Sequence, residues 1–216
     1  MLKLIYLARR KPELGFDQFI CRWRQHGALG MQQSFWRHAL GYVQAEPILP
    51  APIAGVAQTF DAVACFMLRD EMFDQMTEDD IAGSARMAAD ELETFSGPIP
   101  EVSLWVDEEP VKTGELGGVT AFLFFEDAAT AREATEWARL ATGLERIILN
   151  RRSDALEPMN TLPYAAVLEL AAPGLSTLSA VLTAHERRLL SAPELAVVTR
   201  EAVLWNRLAI ASNDRD

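Results

Sequence analysis

Positive charge and long hydrophobic runs are both scarce in this chain of 216 residues. Lys and Arg number 20 against 31 Asp and Glu, which gives a formal net charge of −11 at pH 7. Because phosphate backbones and anionic lipid headgroups repel a negatively charged surface, we expect neither nucleic acid nor a membrane as a partner. No apolar run approaches the ~18 residues that a membrane-spanning helix needs.

Cysteine is also rare. The two cysteines, Cys21 and Cys65, do not have the spacing of a metal site, and two are too few for a disulfide framework. They favour a reducing compartment. The first ten residues lack the small-residue cleavage site of a signal peptide. We therefore expect a cytoplasmic protein.

The motifs that hold common cofactors are missing as well. The sequence contains no phosphate-binding loop, no glycine-rich dinucleotide fingerprint, no nucleophile elbow and no His-Glu-x-x-His pair. We therefore expect no cofactor and no metal.

Hydrophobic periodicity predicts the order β-α-β-β-α-β twice along the chain. In the first half the pattern predicts strands at 2–8, 41–44, 59–68 and 102–106, helices from residue 16 and over 70–95, and a further helical piece over 31–40. In the second half it predicts strands at 119–125, 146–150, 164–170 and 202–208, with helices over 131–143 and 176–189. The acidic, glycine-containing segment 107–118 between them is typical of a linker.

This order predicts an α+β fold built by tandem duplication of a ferredoxin-like unit. Strand 119–125 is apolar on both faces, which requires helices on one side and a second sheet on the other. We predict two ferredoxin-like repeats, residues 1–112 and 118–210, joined by a linker at 113–117. Their two four-stranded sheets would pack face to face as an intrachain pseudo-dimer.

Five short motifs occur in order within residues 1–112. They are Lys3-Leu4-Ile5-Tyr6-Leu7 before Arg10-Lys11-Pro12, Phe19-x3-Trp23-Arg24, Tyr42-Val43-Gln44, Phe60-Asp61-Ala62-Val63-Ala64 and Asp90-Glu91-x3-Phe95. In order and spacing this half resembles the EthD family of the dimeric α+β barrel superfamily. The second half is similar in architecture and in Tyr164-x4-Glu169.

The resemblance implies a small cofactor-independent enzyme acting on an aromatic or polyketide-like molecule. The wider superfamily includes cofactor-independent monooxygenases, lactone isomerases and polyketide cyclases, so the implied chemistry is of oxidoreductase, dehydratase or isomerase type. The alternative is a non-catalytic protein that retains the barrel and binds a small ligand or a partner.

The helix histidine of that family is displaced here, which supports the alternative. The family has a histidine four residues after the helix tryptophan, where this chain has Gly27, and His26 comes one residue earlier. One residue rotates a side chain by ~100° around a helix. The family's strand glutamate is replaced by Cys65 in the first half and kept as Glu169 in the second.

His26 and Glu169 are the candidate catalytic residues. An imidazole with a pKa of ~6.5 suits acid/base work. Burial in an apolar strand raises the pKa of a carboxyl group, as a general acid requires, although a strand at a sheet edge would leave Glu169 in solvent. The candidate substrate-binding residues are the aromatic side chains Tyr6, Trp23, Tyr42, Phe60 and Phe95. We expect them to line a pocket between the first sheet and its helices.

Other polar residues are weaker candidates. His38, His185 and Tyr164 are each explained as well by packing, and the acidic pair Asp90-Glu91 is typical of a solvated helix face. Single-repeat relatives dimerise to build the barrel, and the second half can replace that partner. We nevertheless expect a homodimer that assembles through outer helices or sheet edges.

Overall fold

The computed structural model describes residues 1–57, 59–186 and 192–208, without the side chains of residues 185 and 186. The order β-α-β-β-α-β occurs twice along these residues, as predicted. The strands are β1 (Leu2–Ala8), β2 (Ala39–Pro47), β3 (Ala62–Leu68), β4 (Ser103–Lys112), β5 (Gly118–Phe125), β6 (Arg146–Arg152), β7 (Ala166–Ala172) and β8 (Leu195–Asn206). The helices are α1 (Phe16–Gly30), α2 (Glu78–Thr94), α3 (Ala128–Leu140) and α4 (Leu175–Glu186).

The eight strands form one closed antiparallel barrel in the order β1-β3-β2-β8-β5-β7-β6-β4. The prediction of two ferredoxin-like repeats with separate, facing sheets is therefore wrong. Strand β2 pairs with β8 from Gly41↔Asn206 to Pro47↔Thr199, and β4 pairs with β6. These two ladders satisfy backbone groups that separate sheets would leave open at their edges, which explains why the sheets join.

Side chains alternate between the inside and the outside of the barrel wall. On β1, Ile5 and Leu7 belong to the interior core, whereas Tyr6 and Ala8 pack outward against α1 and α2. The second half repeats this arrangement with α3 and α4. Strand β5 is buried on both faces from Val119 to Phe125, so the prediction of a doubly buried strand is confirmed.

The sequence predicts that Gly27 and Gly30 end or kink the first helix, and α1 continues through Gly27 and ends at Gly30. A Cβ atom at Gly27 would lie 3.0 Å from Nε2 of Gln44 and 3.1 Å from Cε1 of Tyr42. The missing side chain therefore lets α1 approach strand β2 closely. This contact places the C-terminal part of α1 directly against the barrel wall.

Several element boundaries differ from the sequence-based expectation. The helical piece at 31–40 is a short 3₁₀ turn over Ser34–His38, and β4 runs to Lys112, into the first half of the linker-like segment 107–118. Strand β8 begins at Leu195, seven residues before the predicted start. Residues 187–189 of the fourth predicted helix, and residues 190, 191, 209 and 210 of the second predicted repeat, lie outside the described residues. The boundary at 113–117 stays a prediction. No helix in the described part of the chain is long and apolar enough to cross a bilayer.

Candidate functional site

A cavity of about 140 Å³ lies outside the barrel, between its wall and helices α1 and α2. The wall contributes Tyr6 from β1 and Tyr42 from β2, and α1 contributes His26. The ring of Trp36 stacks on Phe66 at 5.2 Å between ring centroids, and both rings close one side of the cavity. Three residues predicted to form the site are thus brought together here.

His26 is held by a carboxylate from the neighbouring helix. Its Nδ1 lies 2.7 Å from Oδ2 of Asp90 on α2, and Arg22 donates a hydrogen bond to the other oxygen, Oδ1. Burial works to raise the pKa of Asp90, but the hydrogen bonds from Arg22 and His26 outweigh it and lower that pKa. Asp90 is therefore an ionised carboxylate, and it accepts a hydrogen bond from the Nδ1–H group of His26.

The imidazole of His26 is neutral at pH 7. Burial lowers its pKa below the usual value, against the opposing effect of Asp90. With Nδ1 protonated towards Asp90, Nε2 carries a lone pair, and no described residue hydrogen-bonds to it. His26 is 5% exposed and lines the cavity, so this lone pair is available to a molecule bound there.

The hydroxyls of Tyr6 and Tyr42 lie 3.1 Å apart and form a second polar group at the cavity. Tyr6 also accepts a hydrogen bond from Nε1 of Trp23 at 3.1 Å, and Tyr42 accepts one from Nε2 of Gln44 at 3.0 Å. The two hydroxyls carry two protons, and only one proton is used between them. Whichever tyrosine donates, the other keeps a proton that no described residue accepts.

Both tyrosines are phenols rather than phenolates at neutral pH. Burial raises the pKa of Tyr6 well above its usual value, and burial also raises the pKa of Tyr42. The unpaired proton therefore stays on the pair. It can be donated to an oxygen atom of a bound molecule.

The remaining predicted aromatic residues have different positions. Trp23 stands behind Tyr6 as its hydrogen-bond donor, and Phe95 packs edge-on against His26 with ring centroids 5.4 Å apart. Phe60 lies elsewhere, beneath the guanidinium of Arg9 at 5.1 Å, and does not line this cavity. The structure therefore separates Phe60 from the other predicted site residues.

Glu169 lies on the opposite side of the barrel wall, inside the barrel. Its Oε1 accepts hydrogen bonds from Nζ of Lys3 at 2.6 Å and from Nδ2 of Asn150 at 2.9 Å. Burial raises the pKa of this carboxyl, but the charges of Lys3 and Arg146 outweigh burial, and the net pKa is lowered. Glu169 is thus an ionised member of a buried charge cluster and shares no cavity with His26.

Sequence reasoning missed several of these polar residues. Asp90 was expected to face solvent, yet it orients His26, and Glu91 lines the cavity while accepting from the backbone N–H of Ile99 at 3.0 Å. Lys3, within the apolar run of β1, was a visible signal, because a lysine at an inward strand position requires an anionic partner. Among the described residues, no group of three or more His, Cys, Asp or Glu side chains is arranged to hold a metal ion.

Comparison with known proteins relates the chain to others by structure rather than by sequence. Neither a family model nor a curated protein sequence matches it. Solved structures that are similar include an anthrone oxidase-like protein, with 8% identity, a TM-score of 0.57 and coverage of 96% of this chain and 94% of that one. A novel heme-binding protein from Thermus thermophilus shares 9% identity at a TM-score of 0.53, covering 98% and 94% of the two chains.

A variant of chlorite dismutase from Candidatus Nitrospira defluvii is also similar, with 10% identity, a TM-score of 0.51 and coverage of 93% and 90% of the two chains. At such identities the likeness concerns the fold alone. The chain therefore shares its fold with these proteins.

Proposed function

We propose that the chain is a small oxidoreductase-like enzyme whose active site is the cavity between α1, α2 and the barrel wall. The observation that carries this proposal is the pairing of a neutral, carboxylate-held His26 with an unsatisfied tyrosine hydroxyl at one cavity. A base and a hydrogen-bond donor at one site are what proton abstraction from a substrate requires.

The size of the cavity limits the substrate to a small molecule. A cavity of about 150 Å³ lined by apolar side chains accommodates benzene, and this one measures about 140 Å³. The aromatic rings of Trp36 and Phe66 suit the flat face of an aromatic ring. Within the aromatic or polyketide-like class, we therefore propose a substrate with one aromatic ring.

The chemistry that we derive is a proton transfer. Nε2 of His26 takes a proton from a phenol or from an acidic carbon of the substrate, and Asp90 stabilises the imidazolium that forms. The free hydroxyl proton of the Tyr6–Tyr42 pair donates to the oxygen on which negative charge develops. Such a step precedes oxygenation, dehydration and isomerisation alike, and this cavity supports each of them to the same extent.

The cavity of His26 does not fit a haem. The name of one structural neighbour mentions haem, but drug-sized ligands already occupy pockets of about 300–1,000 Å³, and this cavity holds about 140 Å³. Trp36, Phe66 and Tyr42 pack against one another where a larger group would have to enter. We therefore derive no step through a haem.

We also propose that residues 1–112 belong to the EthD family. The support is that the helix histidine, although displaced by one residue, still reaches the cavity and meets Tyr6 and Tyr42 there. Oxidoreductase chemistry is supported by the names of two structural neighbours, an anthrone oxidase-like protein and a chlorite dismutase. Glu169 takes no part in this proposal, since it lies inside the barrel.

The test uses 4-nitrophenol, a single-ring phenol whose phenolate absorbs at longer wavelength than the phenol. At a pH below the pKa of free 4-nitrophenol, binding to the protein should increase the phenolate absorbance, because His26 takes the proton and the tyrosine pair stabilises the anion. His26→Ala should abolish the increase. Once a turnover substrate is found, the same variant should slow the reaction by about 10²–10⁴-fold.

The matched control is Gln25→Ala, one residue away on α1 and exposed. It should leave the absorbance change intact. Tyr6→Phe and Tyr42→Phe should each weaken it, because each removes one hydroxyl of the pair. An equal phenolate signal from the wild-type protein and His26→Ala would contradict the proposal, as would binding without any ionisation, which would instead support a non-catalytic binding protein.

A further inference from the structure

A second cavity, of about 380 Å³, opens at one end of the barrel interior. Its walls are largely apolar and include Leu40, Val43, Met67, Leu116 and Ile148. Buried charged side chains also line it, among them Lys3, Arg146 and Glu169. The volume falls within the range of about 300–1,000 Å³ that ligand pockets have. The cavity is separate from that of His26, so the inference below does not depend on the proposed function.

The two oxygens of Glu169 are bonded unequally. Oε1 accepts from Lys3 and Asn150, and the thiol of Cys65 lies 3.9 Å from it. Nη2 of Arg146 lies 3.8 Å from Oε2, which is beyond hydrogen-bond length. No described residue donates to Oε2. Glu169 lines the cavity, so a donor from a bound molecule can reach Oε2 from there.

The charges around the cavity select the kind of donor. Two cations, Lys3 and Arg146, and three carboxylates, Glu108, Glu169 and Glu201, line it. One of the three carboxylates therefore has no cation to balance its charge. An anionic ligand would add another unbalanced negative charge in a low-dielectric interior, which opposes its binding. An ammonium ligand at Oε2 would lie close to the guanidinium of Arg146. A neutral hydroxyl donates a hydrogen bond without either penalty.

We propose that the barrel interior is a binding site for a small neutral alcohol, whose hydroxyl donates to Oε2 of Glu169 and whose hydrocarbon chain lies along the apolar wall. Binding requires no rearrangement of the Lys3–Glu169 pair, because that pair uses Oε1. The apolar chain and the single donor together define the ligand class.

The test compares three ligands that share a six-carbon chain and differ in the headgroup: 1-hexanol, hexanoate and hexylammonium. Isothermal titration calorimetry at pH 7 should show saturable binding of 1-hexanol, at least tenfold tighter than that of either ion. In the wild-type protein, nuclear Overhauser effects should connect the hexanol chain to the methyl group of Met67, which lines the cavity.

Leu116→Trp fills the cavity from its wall, and Leu140→Trp is the matched control on α3, where Leu140 is 83% exposed. Leu116→Trp should lower the affinity for 1-hexanol at least tenfold, and Leu140→Trp should leave that affinity unchanged. Equal affinity for all three headgroups, binding unchanged by Leu116→Trp, or no saturable binding and no contact to Met67 would overturn the proposal. The last result would mean that water alone serves Oε2.

Discussion

Removal of either member of the Lys3–Glu169 pair should destabilise the protein strongly. Both side chains are 3% exposed, and Nζ and Oε1 are 2.6 Å apart. Loss of one partner from a buried ion pair costs about 3–5 kcal/mol, because the other charge is left in a low-dielectric interior. We expect Glu169→Leu to cost a free energy of unfolding near the upper end of that range. In this variant the remaining ion pair of Lys3 among the described residues is the one with Glu108, at 3.5 Å.

Lys3→Met should cost less, about 3 kcal/mol, because Glu169 keeps the amide of Asn150 and the guanidinium of Arg146 nearby. The double variant should be clearly more stable than the sum of the single effects predicts, since it leaves neither charge unpaired. Urea denaturation at pH 7 measures these free energies of unfolding. Lys11→Met is the control, because the Lys11–Glu93 pair is solvent-exposed and contributes less than about 1 kcal/mol.

The pH dependence provides an independent check of the same pair. The pKa of Glu169 is lowered in the folded protein, so its stabilising effect is present above the unfolded pKa of ~4.3 and is lost as the pH falls. The pKa of Lys3 is raised, so its contribution is complete at pH 7 and is lost only as the pH rises above the unfolded value of ~10.4. The difference between wild type and Glu169→Leu should therefore shrink in acid. A cost below about 1 kcal/mol for both single variants at pH 7, or strictly additive effects, would refute the reasoning.

Three further predictions follow from the structure. Asp90→Asn should lower the pKa of His26 further, because the carboxylate raises that pKa in the native protein; an NMR titration of the imidazole that shows no change or a rise would contradict the geometry. Gly114→Ala should cost about 1–3 kcal/mol in a denaturant titration, since its Cβ would lie 2.5 Å from the backbone oxygen of Glu145. Gly174→Ala, with no atom within 4 Å of the new Cβ, should stay within about 0.5 kcal/mol of wild type and serves as its control. Light scattering over a range of concentrations should give twice the chain mass of 24.0 kDa if the expected homodimer forms, and the single mass at all concentrations would refute it.

Local sequence patterns predicted much of the secondary structure. The apolar run of β1 gave its bounds, and the spacing of Phe16, Phe19, Ile20 and Trp23 located α1. Periodicity reports how one segment distributes its own side chains. It does not report which strand edges meet, and the ladders β2–β8 and β4–β6 that close the barrel connect distant parts of the chain. The doubly buried β5 was compatible with two facing sheets and with a closed barrel.

The candidate site was predictable only in part, for a related reason. Tyr6, Tyr42 and His26 were identified from types of residue and from a resemblance, and they do line one cavity. The role of Asp90 depends on the packing of α2 against α1, which the acidic sequence of α2 does not indicate. Glu169 was expected to have a raised pKa, and the unforeseen cations beside it reverse the direction.

Barrel closure by the last strand has a consequence for synthesis on the ribosome. Strand β8 lies between β2 and β5 and pairs with both. Until residues 195–206 emerge, the nascent chain therefore carries two unpaired strand edges, one from each half, which are templates for aggregation. Native contacts of this kind have high contact order and form slowly, because most of the chain must be synthesised before they are possible. The solubility of the newly made barrel thus depends on the synthesis of residues 195–206.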